Sequence, residues 1–157
     1  MTQLKCLPMM LAALVVSAPP AQAKPQPRIQ VAIDVQGVGP AASDAAARLL
    51  GEIRKGLEAS TDIQVISRAD ARRVVRVIVS AAGNVYGASL LVTERYDRET
   101  LMVLGIEDDD LAGRMMMLQI VNEHQGFAGA DLAEIGRRIV ATLNDGVFAA
   151  LRSIGRP

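Results

Sequence analysis

The spacing of apolar residues changes along this chain, and the change limits the folds that it can adopt. Four β-branched residues occupy alternate positions: Ile29, Val31, Ile33 and Val35. Five apolar residues further on share one face of a helix: Ala46, Leu49, Leu50, Ile53 and Leu57. The first spacing predicts a strand with one buried face, and the second predicts an amphipathic helix. Each apolar face must be covered by another layer, so the sequence predicts a layered fold with both α and β elements.

Turn and cap signals divide the middle of the chain into short elements. Ser43 is predicted to cap the first helix, which runs to about residue 59, and Gly56 is expected to let that helix lie close to a sheet. Gly83-Asn84 and residues 97–99 predict two hairpin turns. The corresponding strands are predicted over four ranges: 63–67, 74–81, 86–96 and 101–106.

The C-terminal third contains one ambiguous segment and one clear helix. Residues 115–123 fit a helix or a central strand, and the strand is favoured because it would complete the sheet. Asp131 with Glu134 forms a capping box that predicts a helix start. The apolar face of that helix is Leu132, Ile135, Ile139 and Leu143, continued after a weak point at 144–146 by Val147, Leu151 and Ile154.

The predicted order is therefore β-α-β-β-β-β-α. This order predicts an α+β fold, a two-layer sandwich in which two main helices cover one face of a mixed sheet of about five to six strands. Residues 29–155 are predicted to form a single domain, and residues 24–28 a linker before it.

The first 23 residues have the features of a signal peptide. Lys5 precedes an apolar run over 7–16, and Ala21-Gln22-Ala23 is a cleavage site of the A-x-A type. The run of about 10 apolar residues is short compared with the roughly 20 of a membrane-spanning helix. We therefore expect cleavage after Ala23, a periplasmic or secreted protein, and no membrane span in the rest of the chain. Cys6, the only cysteine, lies in the predicted leader, so no disulfide is expected.

Charge and aromatic content disfavour several classes of ligand. The chain has 17 basic and 17 acidic residues, which gives no electrostatic reason to expect nucleic acid as a partner. It has no Trp, two Tyr and two Phe, whereas sugar sites and single-strand binders use aromatic platforms.

Three segments together resemble a known kind of envelope module. Residues 74–79 form a hydrophobic strand, residues 86–92 an alternating strand, and residues 96–101 an acidic turn with a return strand. The arrangement resembles the N-terminal domain of the TolB family and the related LpoB and CsgG modules, although the lipid-attachment Cys of the last two is missing here. The resemblance implies a protein-binding envelope module without catalysis.

A glycine motif follows the first strand. Gly37-x-Gly39-x-x-Ala42 has the position of a dinucleotide fingerprint, which makes Gly37 and Gly39 candidate ligand-turn residues. The acid expected after the next strand is missing, since Asp62 precedes that strand, and the following strands are predicted to form hairpins. A tight turn with Pro40 at the helix start is the favoured interpretation.

Two segments could be considered for metals, and neither is predicted to bind one. The acidic run 107–110 lacks the alternate acids, central Gly and distal Glu of an EF-hand, so a solvated loop is expected. The methionines at 115–117 with His124 are soft ligands for Cu(I), but consecutive strand residues point to opposite faces. Core packing is expected for the methionines, and no metal or other cofactor is predicted.

No catalytic residues are predicted. His124 is the only histidine, and no nucleophile motif accompanies it. The basic cluster Arg68, Arg72, Arg73 and Arg76 is the candidate partner surface; the alternative is a solvated face balanced by Asp62 and Asp70.

The predicted function is a non-enzymatic interaction or scaffold module that binds another envelope protein. The expected surface is the outer sheet face or an edge strand, with residues 68–76 nearby. The alternative is a module that binds a nucleotide or metal between the helix at 41–59 and the turn at 37–40, and an enzyme is the least favoured class. The sequence does not determine the oligomeric state.

Overall fold

A computed structural model describes residues 28–153; the predicted signal peptide, residues 24–27 and residues 154–157 lie outside the described part. The strands are β1 (Ile29–Val38), β2 (Ile63–Val65), β3 (Arg73–Ala82), β4 (Val85–Arg95) and β5 (Gln119–Gly129). The helices are α1 (Ser43–Glu58), α2 (Arg98–Val103), α3 (Asp109–Met116), α4 (Leu132–Thr142) and α5 (Ala149–Ser153), with a 3-10 turn at Pro40–Ala42 and a π-helical turn at Leu143–Phe148.

The strands form one mixed sheet in the order β2-β1-β3-β4-β5. β1 pairs in parallel with β2 and with β3, while β3–β4 and β4–β5 are antiparallel. α1 and α4 share one core with the sheet, so two main helices cover one sheet face. The predicted α+β class and two-layer architecture are therefore confirmed. None of the helices within residues 28–153 is long and apolar enough to cross a membrane.

The core lies between the sheet and the two helices. The largest fully buried side chains include Leu49, Ile53 and Leu57 of α1, Ile135 and Ile139 of α4, Leu143 and Phe148 of the π-helical turn, and Val31, Val75, Val77 and Leu90 of the sheet. Both predicted helical stripes therefore point inward. Burial of such side chains contributes about 1.5–3 kcal/mol each, which makes this layer contact the main source of stability.

Two glycines set the distance between the helices. A Cβ added at Gly56 would lie 2.7 Å from a Val140 methyl group, and one added at Gly136 would lie 2.8 Å from the Cβ of Glu52. α1 therefore approaches α4 closely at both positions. The expectation that Gly56 would bring the helix close to a sheet was wrong, because its open side faces the neighbouring helix.

The start of α1 differs from the prediction. Gly39 has φ of +90°, and Pro40 opens the 3-10 turn that leads into the helix. Ala42 is the N-cap of α1 and makes no side-chain capping bond, so Ser43 is not the cap. The 3-10 turn already gives the backbone a helical conformation before Ser43, so the helix starts without a capping hydroxyl.

The predicted second hairpin was wrong. Residues 98–103 and 109–116 form α2 and α3, and no return strand occupies 101–106. The Asp97 carboxylate accepts from the backbone N–H of Thr100, and that of Asp108 from Leu111, both at 2.7 Å. Each aspartate is thus an N-cap. The acidic run 107–110 is consequently the start of a helix rather than a simple loop.

The ambiguous segment 115–123 contains both alternatives in succession. α3 ends at Met116, and β5 begins at Gln119. The strand prediction is therefore correct from 119 onward and wrong before it. Met115 and Met116 are half-buried, whereas Met117 is 83% exposed, so the expected core packing fails for Met117.

The C-terminal helix begins as predicted, and its later course is shifted. Asp131 caps α4 by accepting from the N–H of Ala133 at 2.8 Å, while Glu134 binds Arg137 instead of reaching back to the cap. The weak point at 144–146 lies in the π-helical turn, which inserts an extra residue into the helical repeat. Phe148 is consequently fully buried, and Val147 is only half-buried.

Candidate functional site

The sheet has one long open edge. β5 spans eleven residues and pairs with β4 on one side, and no described strand pairs with its other side. An edge of this kind presents a row of N–H and C=O groups to solvent. A bulge at Asn122 interrupts the pairing with β4, since Val92 lies opposite Glu123 and Thr93 opposite Val121. The continuous open edge is therefore residues 123–129.

Two side-chain contacts show which main-chain groups of β5 face outward. The N–H of His124 donates to the Glu123 carboxylate at 3.2 Å, and the carbonyl oxygen of Ala128 accepts from Arg138 at 3.4 Å. In an antiparallel pair, alternate residues turn both main-chain groups away from the partner strand. His124, Gly126 and Ala128 are therefore the outward-facing residues of this edge.

Gly126 is the centre of that edge. It lies midway between His124 and Ala128, whose main-chain groups are bound by side chains, and a Cβ added there would meet nothing within 4 Å. Among residues 28–153, no described side-chain hydrogen bond involves its main-chain groups. An approaching strand therefore finds its clearest access at Gly126.

A groove of about 540 Å³ runs beside the edge, between β5 and the segment from α4 to the π-helical turn. One end holds Phe127 and Arg138, whose guanidinium lies 5.4 Å from the ring centroid. The other end holds Glu123 and Asp145, which also line the groove. The groove is therefore basic at one end and acidic at the other.

Part of the outer face of the sheet is covered by described residues. Ala32 and Val74 are buried there with Ala71 beneath the segment between β2 and β3. On the same face towards the β5 edge, the ring of His124 lies 3.3 Å from the hydroxyl of Ser89. Sequence reasoning did not single out Ser89; only the register of β4 with β5 brings the two together. The pair sits on an exposed face of the sheet.

The predicted basic surface is a set of ion pairs. Arg68 and Arg76 both bind Asp34, at 3.0 and 3.1 Å. Arg72 binds Glu94 at 2.8 Å and also Asp97, and Arg73 binds Glu94 at 3.1 Å. Arg73 is only 3% exposed. The four arginines are therefore matched by carboxylates of neighbouring elements.

The balancing acids differ from those expected. Asp70 accepts from the hydroxyl of Ser67, and Asp62 binds Arg152 of α5 at 2.6 Å. Neither forms a described ion pair with the arginine cluster. Asp34 and Glu94 lie far from the cluster in sequence, so only the pairing of the strands could identify them.

The contact between Arg72 and Asp97 ties α2 to the start of β3. Hydrogen bonds from the Thr100 side chain and backbone lower the pKa of Asp97, and the nearby charge of Arg72 acts in the same direction. Arg72 also donates to the Thr100 hydroxyl. This network has the form of a structural clamp, since each group is used to hold the helix in place.

The glycine motif is accounted for by chain packing. A Cβ at Gly37 would lie 2.5 Å from the carbonyl oxygen of Ala42, so the turn itself fills the space beside the helix start. The prediction that hairpins follow this turn was wrong for the first unit, because β1-α1-β2 is a parallel crossover. β2 has only three residues, too few for periodicity to reveal its partner.

No group of three His, Cys, Asp or Glu residues within 28–153 is arranged to hold a metal ion. In the acidic run, Asp108 caps α3 and Asp109 binds Arg98. Those carboxylates are thus engaged in local structure. His124, at the other candidate site, contacts Ser89.

A second exposed surface lies on and after the two short helices. Within residues 28–153, seven of the ten exposed large apolar side chains fall on this stretch: Met102, Val103, Leu104, Leu111, Met117, Leu118 and Val121. Exposed apolar residues that concentrate in one region are typical of contact surfaces. The region also carries the acids of 107–110, which would oppose an anionic membrane.

Comparison with known proteins gives little beyond this geometry. No protein-family model matches the chain, and no curated protein matches it. A solved structure of a PelC variant from Paraburkholderia phytofirmans, described as a dodecamer, is similar over 81% of this chain and 92% of its own, at 12% identity and a TM-score of 0.35. A TM-score this low carries no argument, and the resemblance to the TolB, LpoB and CsgG modules stays a prediction.

Proposed function

We propose that this chain is an exported, non-enzymatic interaction module of the cell envelope, and that it binds a polypeptide partner at the open edge of β5. The observation that carries the proposal is the outward-facing main chain of His124, Gly126 and Ala128. The leader-like residues 1–23 support export.

Strand addition is the binding mode that suits this edge. An added strand gains main-chain hydrogen bonds along the edge, while its alternate side chains enter a neighbouring groove and give specificity. The groove between β5 and α4 lies where those side chains would point. A partner segment would therefore meet a basic, aromatic end at Arg138 and Phe127 and an acidic end at Glu123 and Asp145.

Two features argue for this mode over the alternative of a small ligand at residues 37–40. The turn there is filled by its own backbone at Gly37. The groove beside β5 is open to solvent and is lined by mixed charges, which suits an extended segment better than an enclosed small molecule.

The test uses two substitutions at one position. Gly126→Pro removes the central N–H from the edge, and proline is tolerated in an edge strand when its nitrogen faces solvent. Gly126→Ala keeps the N–H and serves as the matched control. We expect the proline variant to lose binding and the alanine variant to keep it, while both keep the circular dichroism spectrum of the parent.

The partner contact is located by photo-crosslinking in envelope preparations. Crosslinkers at His124 and Ala128 should give adducts that disappear in the Gly126→Pro background, and one at the exposed Arg48 of α1 should not. Equal adducts at all three sites, insensitive to the proline, would contradict the proposal. A thermal shift with nucleotides or divalent metals, without any edge adduct, would favour the small-ligand alternative.

A further inference from the structure

We propose that the partner at this edge is a second copy of the same chain, paired with it through antiparallel β5 strands about a two-fold axis at Gly126. This inference rests on the proposed use of the β5 edge and adds the identity of the occupant. The argument comes from the order of main-chain groups, side-chain sizes and charges along the edge.

The outward-facing residues fix the register. An axis at Gly126 places the two Gly126 residues opposite each other, and places His124 opposite Ala128 of the second copy. These are the residues that turn both main-chain groups outward. The pairing forms about six main-chain hydrogen bonds, because each outward pair exchanges two. The two five-stranded sheets become one continuous sheet.

Side-chain sizes along the edge agree with this register. On the outer face, the two glycines meet at the axis, and the large His124 lies opposite the small Ala128. On the face of the groove, Gln125 lies opposite Phe127, and Glu123 lies opposite Gly129. No position places two like-charged side chains directly opposite each other.

The charges of the groove are self-complementary. Arg138 contacts the Phe127–Ala128 end of the edge, whereas Glu123 and Asp145 lie at the opposite end. A two-fold axis between these ends brings each basic end against the acidic end of the other copy. Any interface of this symmetry repeats each contact twice, so the match counts on both sides.

In a single copy, two side-chain contacts occupy the edge, and pairing would replace both with main-chain hydrogen bonds. Glu123 accepts the His124 N–H, and Arg138 donates to the Ala128 carbonyl. In the paired state these main-chain groups bind each other across the axis. Glu123 and Arg138 are then released and can form an ion pair between the copies. The side-chain contacts at the edge of the single chain can thus be replaced by contacts with the second copy.

The first test measures the mass of the purified protein in solution as a function of concentration, by light scattering and sedimentation. We expect a dimer that dissociates on dilution for the parent and for Gly126→Ala. We expect a monomer for Gly126→Pro at every concentration, with an unchanged circular dichroism spectrum. A monomeric parent would overturn the inference, and so would a dimer that the proline leaves intact.

A charge exchange tests the axis. Arg138→Glu and Glu123→Arg should each raise the dissociation constant by about tenfold, since like charges then meet across the axis. The combined variant should recover much of the parent affinity. Arg48→Glu, on the exposed surface of α1, is the control and should change nothing. Failure of the combined variant to recover affinity would contradict the proposed register.

A cysteine at the axis gives an independent reading. The two Gly126 Cα atoms of a hydrogen-bonded antiparallel pair lie about 5.5 Å apart, within the range of roughly 4.4–6.8 Å that a disulfide spans. In a Cys6→Ser background, Gly126→Cys should therefore crosslink to itself on mild oxidation. Gly51→Cys, on the exposed side of α1, should not.

The outcomes separate the two proposals. A monomeric protein whose edge still gives proline-sensitive adducts with another envelope protein would overturn self-pairing and keep the proposed function. A monomeric protein without edge adducts would overturn both. A dimer that is sensitive to Gly126→Pro and rescued by the charge exchange supports both.

Discussion

The two edges of the sheet differ in length and in how they are closed. β2 has three residues, packs against α1, and is preceded by Asp62, whose carboxylate binds Arg152 at 2.6 Å. β5 has eleven residues, and the described contacts at its outer side are single ones from Glu123 and Arg138. A short edge offers few groups for pairing, so the shortness of β2 itself protects it.

The comparison shows that an open edge can be kept from uncontrolled pairing without being closed. The bulge at Asn122 and the side chains of Glu123 and Arg138 limit access to β5. These devices are weaker than a covering helix and can be exchanged for contacts with another strand. The proposed binding therefore concerns the long edge at β5, whereas the short edge at β2 offers few groups for pairing.

The largest effect is expected from a substitution in the core that supports both edges. Phe148 is fully buried in the common core. Phe148→Ala should lower the free energy of unfolding by about 3–5 kcal/mol, because it leaves a cavity in a packed layer. Urea denaturation measures the loss, and hydrogen exchange should rise at both edges together. A change confined to β5 would show that the two edges have separate supports.

A smaller effect is expected where the helices above the sheet meet. Gly56→Ala should lower the free energy of unfolding by about 1–3 kcal/mol, because its Cβ would overlap Val140. Gly51→Ala, in the same helix with open space around it, should raise the free energy by about 0.5–1 kcal/mol. Thermal melts of the pair check this prediction, and equal signs would contradict it.

The ion pair next to β2 should give a still smaller, pH-dependent effect. The hydrogen bond from Arg152 lowers the pKa of Asp62 below its usual 3.8. The stabilisation is therefore present above pH 3.8 and is lost as the pH falls through the lower folded-state pKa. Asp62→Asn should lower the free energy of unfolding by about 0.5 kcal/mol at pH 7, since the pair is partly exposed.

The same variant should match the parent at a pH below the folded-state pKa of Asp62, where both side chains are uncharged. Urea denaturation at a series of pH values measures the difference. A loss that stays constant down to the lowest pH would assign the effect to packing. Hydrogen exchange along β5 should differ between this variant and the parent by no more than the change in global stability at each pH.

The smallest expected effect concerns the hydrogen-exchange rates of individual β5 amides rather than the global stability. In the single chain, the N–H groups of Gly126 and Ala128 should exchange faster than those of Gln125 and Phe127, which face β4. Gly126→Pro provides a monomeric reference if the parent pairs with itself. That variant has no N–H at position 126, so the comparison in it is between Ala128 and its neighbours Gln125 and Phe127, and equal protection of these three amides would contradict the assigned alternation.

The strong periodic segments were predictable from the sequence. The alternation at 29–35 and the helical spacing at 46–57 identified β1 and the buried face of α1, because in each case one face meets the core. Gly83 also marked the β3–β4 turn, where its φ is +62°. The prediction for residues 97–116 was wrong because short helices depend on local caps. The cap signals of Asp97 and Asp108 were given less weight than an expected hairpin.

The site was predictable only as a type of surface. An edge strand was expected as one candidate, but the residues singled out were Arg68, Arg72, Arg73 and Arg76, which the structure joins to carboxylates. Glu123 and Gly126 were not predicted as part of a partner surface. The capping aspartate of α4 predicts its start, yet nothing in the sequence tells which strand that helix lies beside.

The sequence by itself determined the elements whose pattern is local, and with them the two layers and the apolar core. The order of strands in the sheet was decided by the tertiary structure, since it depends on contacts between residues far apart in the chain. That order leaves β5 at the open end, places Arg138 beside it, and joins the arginines to Asp34 and Glu94. A periodic pattern states which face is buried, and it carries no information about which strand has a neighbour on only one side.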